Sequence, residues 1–359
     1  MIVSKIHETQ RGLKSMLSRE EVYTMILLRN RNNNIFSKLP IEIILEISDF
    51  GQNPNSDIAN ALHHAAYARQ EDVTALLAML DKNPSLLLQA GNVVTPGGDE
   101  WKRVTIYEFL LGAGDYELAK QVQEYFSKIE QGEQRRIAQY ERYKPHIEGM
   151  LTQKPYDLRP LIELVKQASA EDVTALLNKD MTRKSALCDA LIQFRKDWAP
   201  RTLTKPCLHY NYASLQHAFE LFDHEWVNLY QASGDNCDKI RLVWRQLIGF
   251  EMRRLPGIDR CVIAQGMYYV VNEERAVARS YKFKSSDGDF PVVASDDSIV
   301  GLGGDFSVDI FGMLWGSGGM AVSPRRAAVL GNFMSNKNFK LKELMRPKPI
   351  RQMDWCVLI

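Results

Sequence analysis

The sequence predicts a mainly α chain, on three observations. Apolar residues recur at helical spacing in segment after segment, Ile43, Ile44 and Ile47 being one such stripe. A block that reads helix, tight turn, helix returns along the chain. Strand-like runs are read beyond Arg260, at Val262-Ile263, Met267–Val271 and Phe290–Val293. The expected organisation is N-terminal helices over 1–56, helical repeats over 57–200, a small α or α+β domain over 201–335 and a flexible basic tail over 336–359.

Composition bounds the function classes. The 359 residues are 45% hydrophobic and 25% charged, which excludes disordered, collagen-like and disulfide-scaffold chains. Lys+Arg 45 against Asp+Glu 44 leaves +1, so no chain-wide field recruits nucleic acid, and no such partner is expected. Five cysteines, odd in number and without a CxxC pair, point to reduced thiols. Apolar runs such as Met25–Leu28 fall far short of the ~20 residues that span a bilayer. No apolar core follows Met1–Glu8, so neither a transmembrane helix nor an ordinary signal peptide is expected.

The elements follow in order. Ser18 with Glu21 three residues on starts a short helix, and Arg29–Asn34 is loop-like. Pro40 suits the first turn of the next helix, where its missing N–H costs nothing, and Gly51–Ser56 breaks it. From Ile58 the chain repeats itself. Ala61–Ala66 followed by Glu71–Leu77 is echoed 45 residues later by Ile106–Leu111 and Tyr116–Val122. A third echo, Glu171-Asp-Val-Thr-Ala-Leu-Leu177, copies Glu71–Leu77 identically. One such helix pair cannot bury its own apolar face, so the units should stack. Tyr212–Tyr230 and Lys239–Met252 also read as helices, the latter ending at Leu255-Pro-Gly257.

Leu62-His63 with Ala65-Ala66, then Glu71-Asp72-Val73 and Leu76-Leu77, resembles the ankyrin repeat, whose Leu-His-x-Ala pattern builds the first helix. The resemblance implies structural roles for Leu62, His63, Ala65 and Ala66 and a protein held on the repeats. Ala61 replaces the usual Pro, and Gln89–Arg103 reads as an insertion between units. Leu39-Pro40-Ile41-Glu42-Ile43-Ile44-Leu45-Glu46-Ile47 resembles the opening helix of an F-box. That likeness implies docking of a Skp-type adaptor of a cullin ubiquitin ligase through Leu39, Pro40, Ile43, Ile44 and Ile47, by helix-in-groove recognition. The alternative is an amphipathic helix that caps the first repeat.

Cys356-Val357-Leu358-Ile359 fits the CaaX prenylation box, with a host prenyltransferase as partner and Cys356 as the modified residue. The bulky last residue points to a geranylgeranyl chain; no other cofactor is expected. One lipid chain gives marginal binding, so a second signal is needed. Lys337, Lys340, Lys342, Arg346, Lys348 and Arg351 supply it against an anionic membrane surface, opposed by Glu343 and Asp354. The alternative is an apolar end packed on the body with a chance cysteine.

Taken in this order, the three features resemble the Legionella-type, type IV-secreted effectors. The resemblance implies delivery into a eukaryotic cell and anchoring on the cytoplasmic face of a host membrane. Trp244–Gly249, Arg253–Pro256 and Gly301–Phe306 are similar to a region that recurs in such effectors. The expected function is a membrane-anchored adaptor that presents a repeat-bound substrate to the recruited ligase and catalyses nothing itself. Two alternatives stand beside it: a prenylated scaffold without ligase recruitment, and an enzyme within 201–335. Enzyme signals are weak. Gly301–Asp305 is no dinucleotide fingerprint, Cys207, His209, His217 and His224 match no metal or thiol–His spacing, and the aspartates between Asp287 and Asp305 lack the EF-hand pattern. No catalytic or metal-ligating residue is assigned.

Overall fold

The computed structural model describes residues 57–345, apart from 179, 181, 234–236, 286–287 and 292–325. The F-box-like segment, Gly301–Phe306, Arg346, Lys348, Arg351 and Cys356 lie outside the described residues. Among those residues the fold is mainly α.

Two helix pairs open it. Helices α1 (Asp57–Tyr67) and α2 (Gln70–Lys82) are joined by two residues, as are α3 (Ile106–Ala113) and α4 (Tyr116–Gln123). Thr105 starts α3 with a reciprocal capping box: its hydroxyl accepts from the Glu108 N–H while Glu108 accepts from the Thr105 N–H. Gly114 ends α3 at φ +70°, where a side chain would be strained. Ala61, Leu62, Ala65 and Ala66 are buried, and these mostly small residues let α1 pack against both α2 and α3. The two pairs therefore stack side by side. Between them lies a 3₁₀ turn (Pro84–Leu88), then an antiparallel hairpin of β1 (Gly91–Val94) and β2 (Glu100–Val104), where an insertion was expected. A third short strand, β3 (Thr202–Leu203), joins β2 in parallel. Helix α5 (Gly132–Glu148) lies against α3 and completes the first core.

A second core takes the rest. It collects α6 (Arg159–Gln167), α7 (Ala170–Leu177), α8 (Ala186–Asp197) and α9 (Tyr212–Ser233). Helix α10 (Asp238–Val243) runs through a π turn (Trp244–Ile248) into α11 (Gly249–Met252). Then come α12 (Gly257–Gln265), α13 (Met267–Asn272), a hairpin of β4 (Lys282–Ser285) and β5 (Gly288–Pro291), and α14 (Arg326–Glu343).

Four expectations are corrected. Val262-Ile263 and Met267–Val271 are helical, not strand-like: Cys261, Val262, Ile263 and Met267 face the second core, and tertiary burial overrides their β propensity. The boundary placed at 200 falls near 150, because Leu158–Leu176 share one core with Tyr212–Met267. The third echo forms the helix pair α6–α7 but does not continue the stack; its apolar face meets α8, α9 and α10. Residues 336–345 are not flexible tail but the end of α14 and the turn after it, which insert between the cores, with Leu330, Phe333 and Met334 in the second and Leu341 and Leu344 in the first.

Buried polar groups fasten the halves. Arg279 pairs with Asp115 at 2.8 Å and donates to the Ala68 carbonyl at the end of α1. Lys337 pairs with Asp259, donates to Tyr212 Oη at 2.6 Å, and reaches the Ala113 carbonyl at 3.4 Å. Tyr212 donates to the other Asp259 oxygen. Gly257 sits on the Ala66 and Tyr67 carbonyls so closely that a Cβ has no room.

Candidate functional site

Where the halves meet, residues of the segments 154–156, 197–201 and 209–214 wall a cleft of about 290 Å³, joined by Asp99 and Arg254. A second recess of about 380 Å³ adjoins it, sharing Arg201, Tyr210 and Asn211. The loops are held by their own backbone. Asn211 Nδ2 donates to the Lys154 carbonyl at 2.7 Å, the Tyr156 N–H donates to Ser214 Oγ at 2.9 Å, and the Arg201 N–H donates to Asp99 at 2.8 Å. Arg254 donates to the Trp198 carbonyl at 2.7 Å and to the Gly97 carbonyl, tying the second core to the β1–β2 hairpin. Tyr156 donates to Asp197 at 3.0 Å; burial, then that carboxylate, push its hydroxyl up to about 12.

Around this cleft buried polar atoms are left without a protein partner: Gln153 Oε1, Trp198 Nε1, Tyr210 Oη and Asn211 Oδ1. Each such atom costs ~1–3 kcal/mol unless a water or other partner satisfies it, so together they give this region a polar lining. Glu251 is fully buried behind it, with neither carboxylate oxygen hydrogen-bonded, and burial holds its pKa well above the usual range. Tyr210 is likewise driven far up by burial. Tyr156, Trp198 and Tyr210 give the walls aromatic surface, while Arg201, Lys154 and Arg254 oppose Asp99 and Asp197. Such an arrangement can hold a small polar molecule by mixed donors and acceptors.

The residues singled out from sequence fall as follows. Leu62, Ala65 and Ala66 are buried in α1, and His63 stacks on Tyr67 with ring centroids 4.3 Å apart. His64, next to it, accepts or donates at Asp72 across 2.9 Å, and Arg69 donates to the same carboxylate at 2.7 Å. Burial lowers the His63 pKa to about 4. Lys340 and Lys342 are exposed on α14, but Lys337 is not a surface charge: its side chain is 5% exposed and belongs to the Asp259 ion pair. That removes it from the membrane-facing set, because an ammonium held inside the fold has no lipid to meet.

Cys207 and His209 sit near one another, yet not as a catalytic pair. The His209 ring is packed between Trp101 and Phe109, at 4.0 and 4.6 Å, against the bare Cα of Gly112, and burial drives its pKa well down. Burial raises the Cys207 thiol. His217 and His224 lie seven apart on α9, as their spacing indicates. Among the described residues no group of three or more His, Cys, Asp or Glu is placed to hold a metal ion, and no helix is long and apolar enough to cross a membrane.

Sequence reasoning missed the cleft residues Tyr156, Trp198, Arg201, Asn211 and Arg254. The available signal was aromatic residues within Pro-punctuated loops, Trp198-Ala-Pro-Arg201 and His209-Tyr-Asn-Tyr212, which carries no period. Comparison with known proteins finds no family model, no curated protein and no solved structure that matches the chain.

Proposed function

We propose that the chain is a membrane-anchored adaptor delivered into a eukaryotic cell. Residues 35–50, F-box-like in sequence, recruit a Skp-type subunit and its cullin ligase. The ankyrin-like pairs α1–α2 and α3–α4 with the β1–β2 hairpin hold a protein substrate, and an isoprenoid on Cys356 fixes the complex on a membrane. Ubiquitin transfer is then done by the recruited enzymes, through proximity.

The observation that carries this reading is the stacking of two short helix pairs with two-residue turns around an intervening hairpin. The Thr105 cap at the start of α3 and the buried small residues of α1 agree with it. The third echo lies in the other core, so the substrate face is limited to residues 57–123.

Affinity purification of the tagged full chain from eukaryotic cells, beside a Leu39→Ala/Pro40→Ala variant, tests the adaptor role. Recovery of a Skp-type subunit and a cullin with the wild type alone is the expected result. Absence of both from wild type at the membrane leaves the scaffold reading.

A second reading is favoured by the cleft: the unpaired polar atoms of Trp198, Tyr210 and Asn211 suit a small-molecule site. A metabolite that raises the Tm of wild type but not of Asn211→Ala would support it. Failure of every metabolite in a broad panel would sink it.

A further inference from the structure

We infer that the outward stripe of the last two turns of α14 is a membrane-docking face for anionic lipid, which orients the body beneath its anchor. The inference rests on the proposal that Cys356 is lipidated, and it replaces the uniform basic tail as the second membrane signal.

Helix α14 is fixed up to its end. Leu341 and Leu344 are buried, Tyr140 Oη donates to the Leu341 carbonyl at 3.1 Å, and Arg136 donates to the Leu344 carbonyl at 2.7 Å. The residues left outside are therefore set by the fold rather than by a fraying terminus. They include Phe339, 62% exposed, with Lys340 and Lys342. A large exposed ring flanked by ammonium groups on a rigid helix suits a lipid headgroup boundary, where the ring inserts and the lysines meet phosphates.

The neighbouring helix extends this surface. Lys340 lies 5.6 Å and Lys120 6.0 Å from the centre of the Tyr116 ring, so two lysines gather at an aromatic ring, Lys340 being next to Phe339 in the chain. The carboxylates on these two segments are Glu117 and Glu343, so the local balance is basic.

The sequence beyond points to the same occupant. Cys356 lies eleven residues after Met345, and Arg346, Lys348 and Arg351 lie between them against Asp354. At 3.3–3.6 Å per residue such a segment reaches at most about 36–40 Å. A body of this length is about 50 Å across. A lipid on Cys356 therefore keeps the bilayer within about 40 Å of the end of α14, less than the width of the body.

The test uses the full chain carrying Cys356→Ser, so that no lipid contributes, in co-sedimentation with vesicles of equimolar phosphatidylcholine and phosphatidylserine. Vesicles of phosphatidylcholine alone are the control. Adding Phe339→Ser, Lys340→Glu and Lys342→Glu should lower binding to the anionic vesicles by about 10-fold or more, since each lysine near such a surface is worth about 5-fold. Lys184→Glu, exposed in the second half, should leave binding unchanged. Equal binding by the triple variant and the parent, or no preference of the parent for anionic vesicles, overturns the inference. Intact mass of the wild type from eukaryotic cells reads lipidation separately. An unmodified Cys356 there refutes the anchor while leaving the vesicle result to judge the face.

Discussion

Replacing Lys337 by Met separates a folded α14 from a solvated basic tail. The ammonium and the Asp259 carboxylate are 5% and 1% exposed, and Tyr212 shares the same pair. Removing the cation leaves Asp259 buried with only a tyrosine hydroxyl to offset its charge. Breaking a buried pair from one side costs ~3–5 kcal/mol, whereas a charge on a solvated segment would cost within about 0.5 kcal/mol. At about 2–4 °C per kcal/mol, the Tm should fall by roughly 6–20 °C. The double variant Lys337→Met/Asp259→Asn removes the orphaned charge and keeps an acceptor for Tyr212. It should recover much of the loss, with a coupling of at least ~1 kcal/mol in a double-mutant cycle. Urea unfolding of the full chain followed by circular dichroism reads both numbers. A single-variant loss below about 0.5 kcal/mol, or strict additivity in the cycle, would refute the buried pair.

The remaining predictions concern the first half and its contact with the second. Thr105→Ala removes the α3 cap and an acceptor–donor link to Glu108 and Gln139, and should cost ~1–2 kcal/mol in chemical unfolding; no loss would show the capping box to be idle. Gly257→Ala places a methyl against the Ala66 and Tyr67 carbonyls and should cost ~1–3 kcal/mol; a neutral result would mean that α12 does not press on α1. His63 has its pKa lowered from 6.5 to about 4 by burial, so its neutral form is the folded one. Its contribution is complete above about 6.5 and is lost as pH falls toward about 4, with a slope of at most ~1.4 kcal/mol per pH unit. His63→Gln should flatten that acid slope in pH-dependent unfolding, and an unchanged slope would clear His63 of the effect.

The heptapeptide shared by 71–77 and 171–177 shows what each level of structure decides. In both copies it is helical, and in both the Val and first Leu are buried, because backbone propensity and the 3.6-residue period act locally. The aspartate differs. Asp72 is buried and held by His64 and Arg69, which hydrogen-bond it strongly enough to lower its pKa despite the burial that would raise it. Asp172, at the same place in the same seven residues, turns outward to Arg183. The seven residues alone do not encode the difference; it comes from what flanks each copy, His64 and Arg69 before the first and Arg183 after the second.

The same division runs through the molecule. Helical character, the tight turns within pairs and the end of the helix at Met252 were legible, since caps, glycines, prolines and apolar stripes act within a few residues. The helicity of Val262–Val271 was not, because β-branched and aromatic residues there follow burial rather than propensity. Nor was the cleft, whose residues come from segments near 100, 155, 200 and 254 that only the meeting of two cores brings together. Lys337 makes the point in one residue. By sequence it is one lysine in a basic run; what turns it inward is Asp259, 78 positions away, in a space where an ammonium without a carboxylate could not stay.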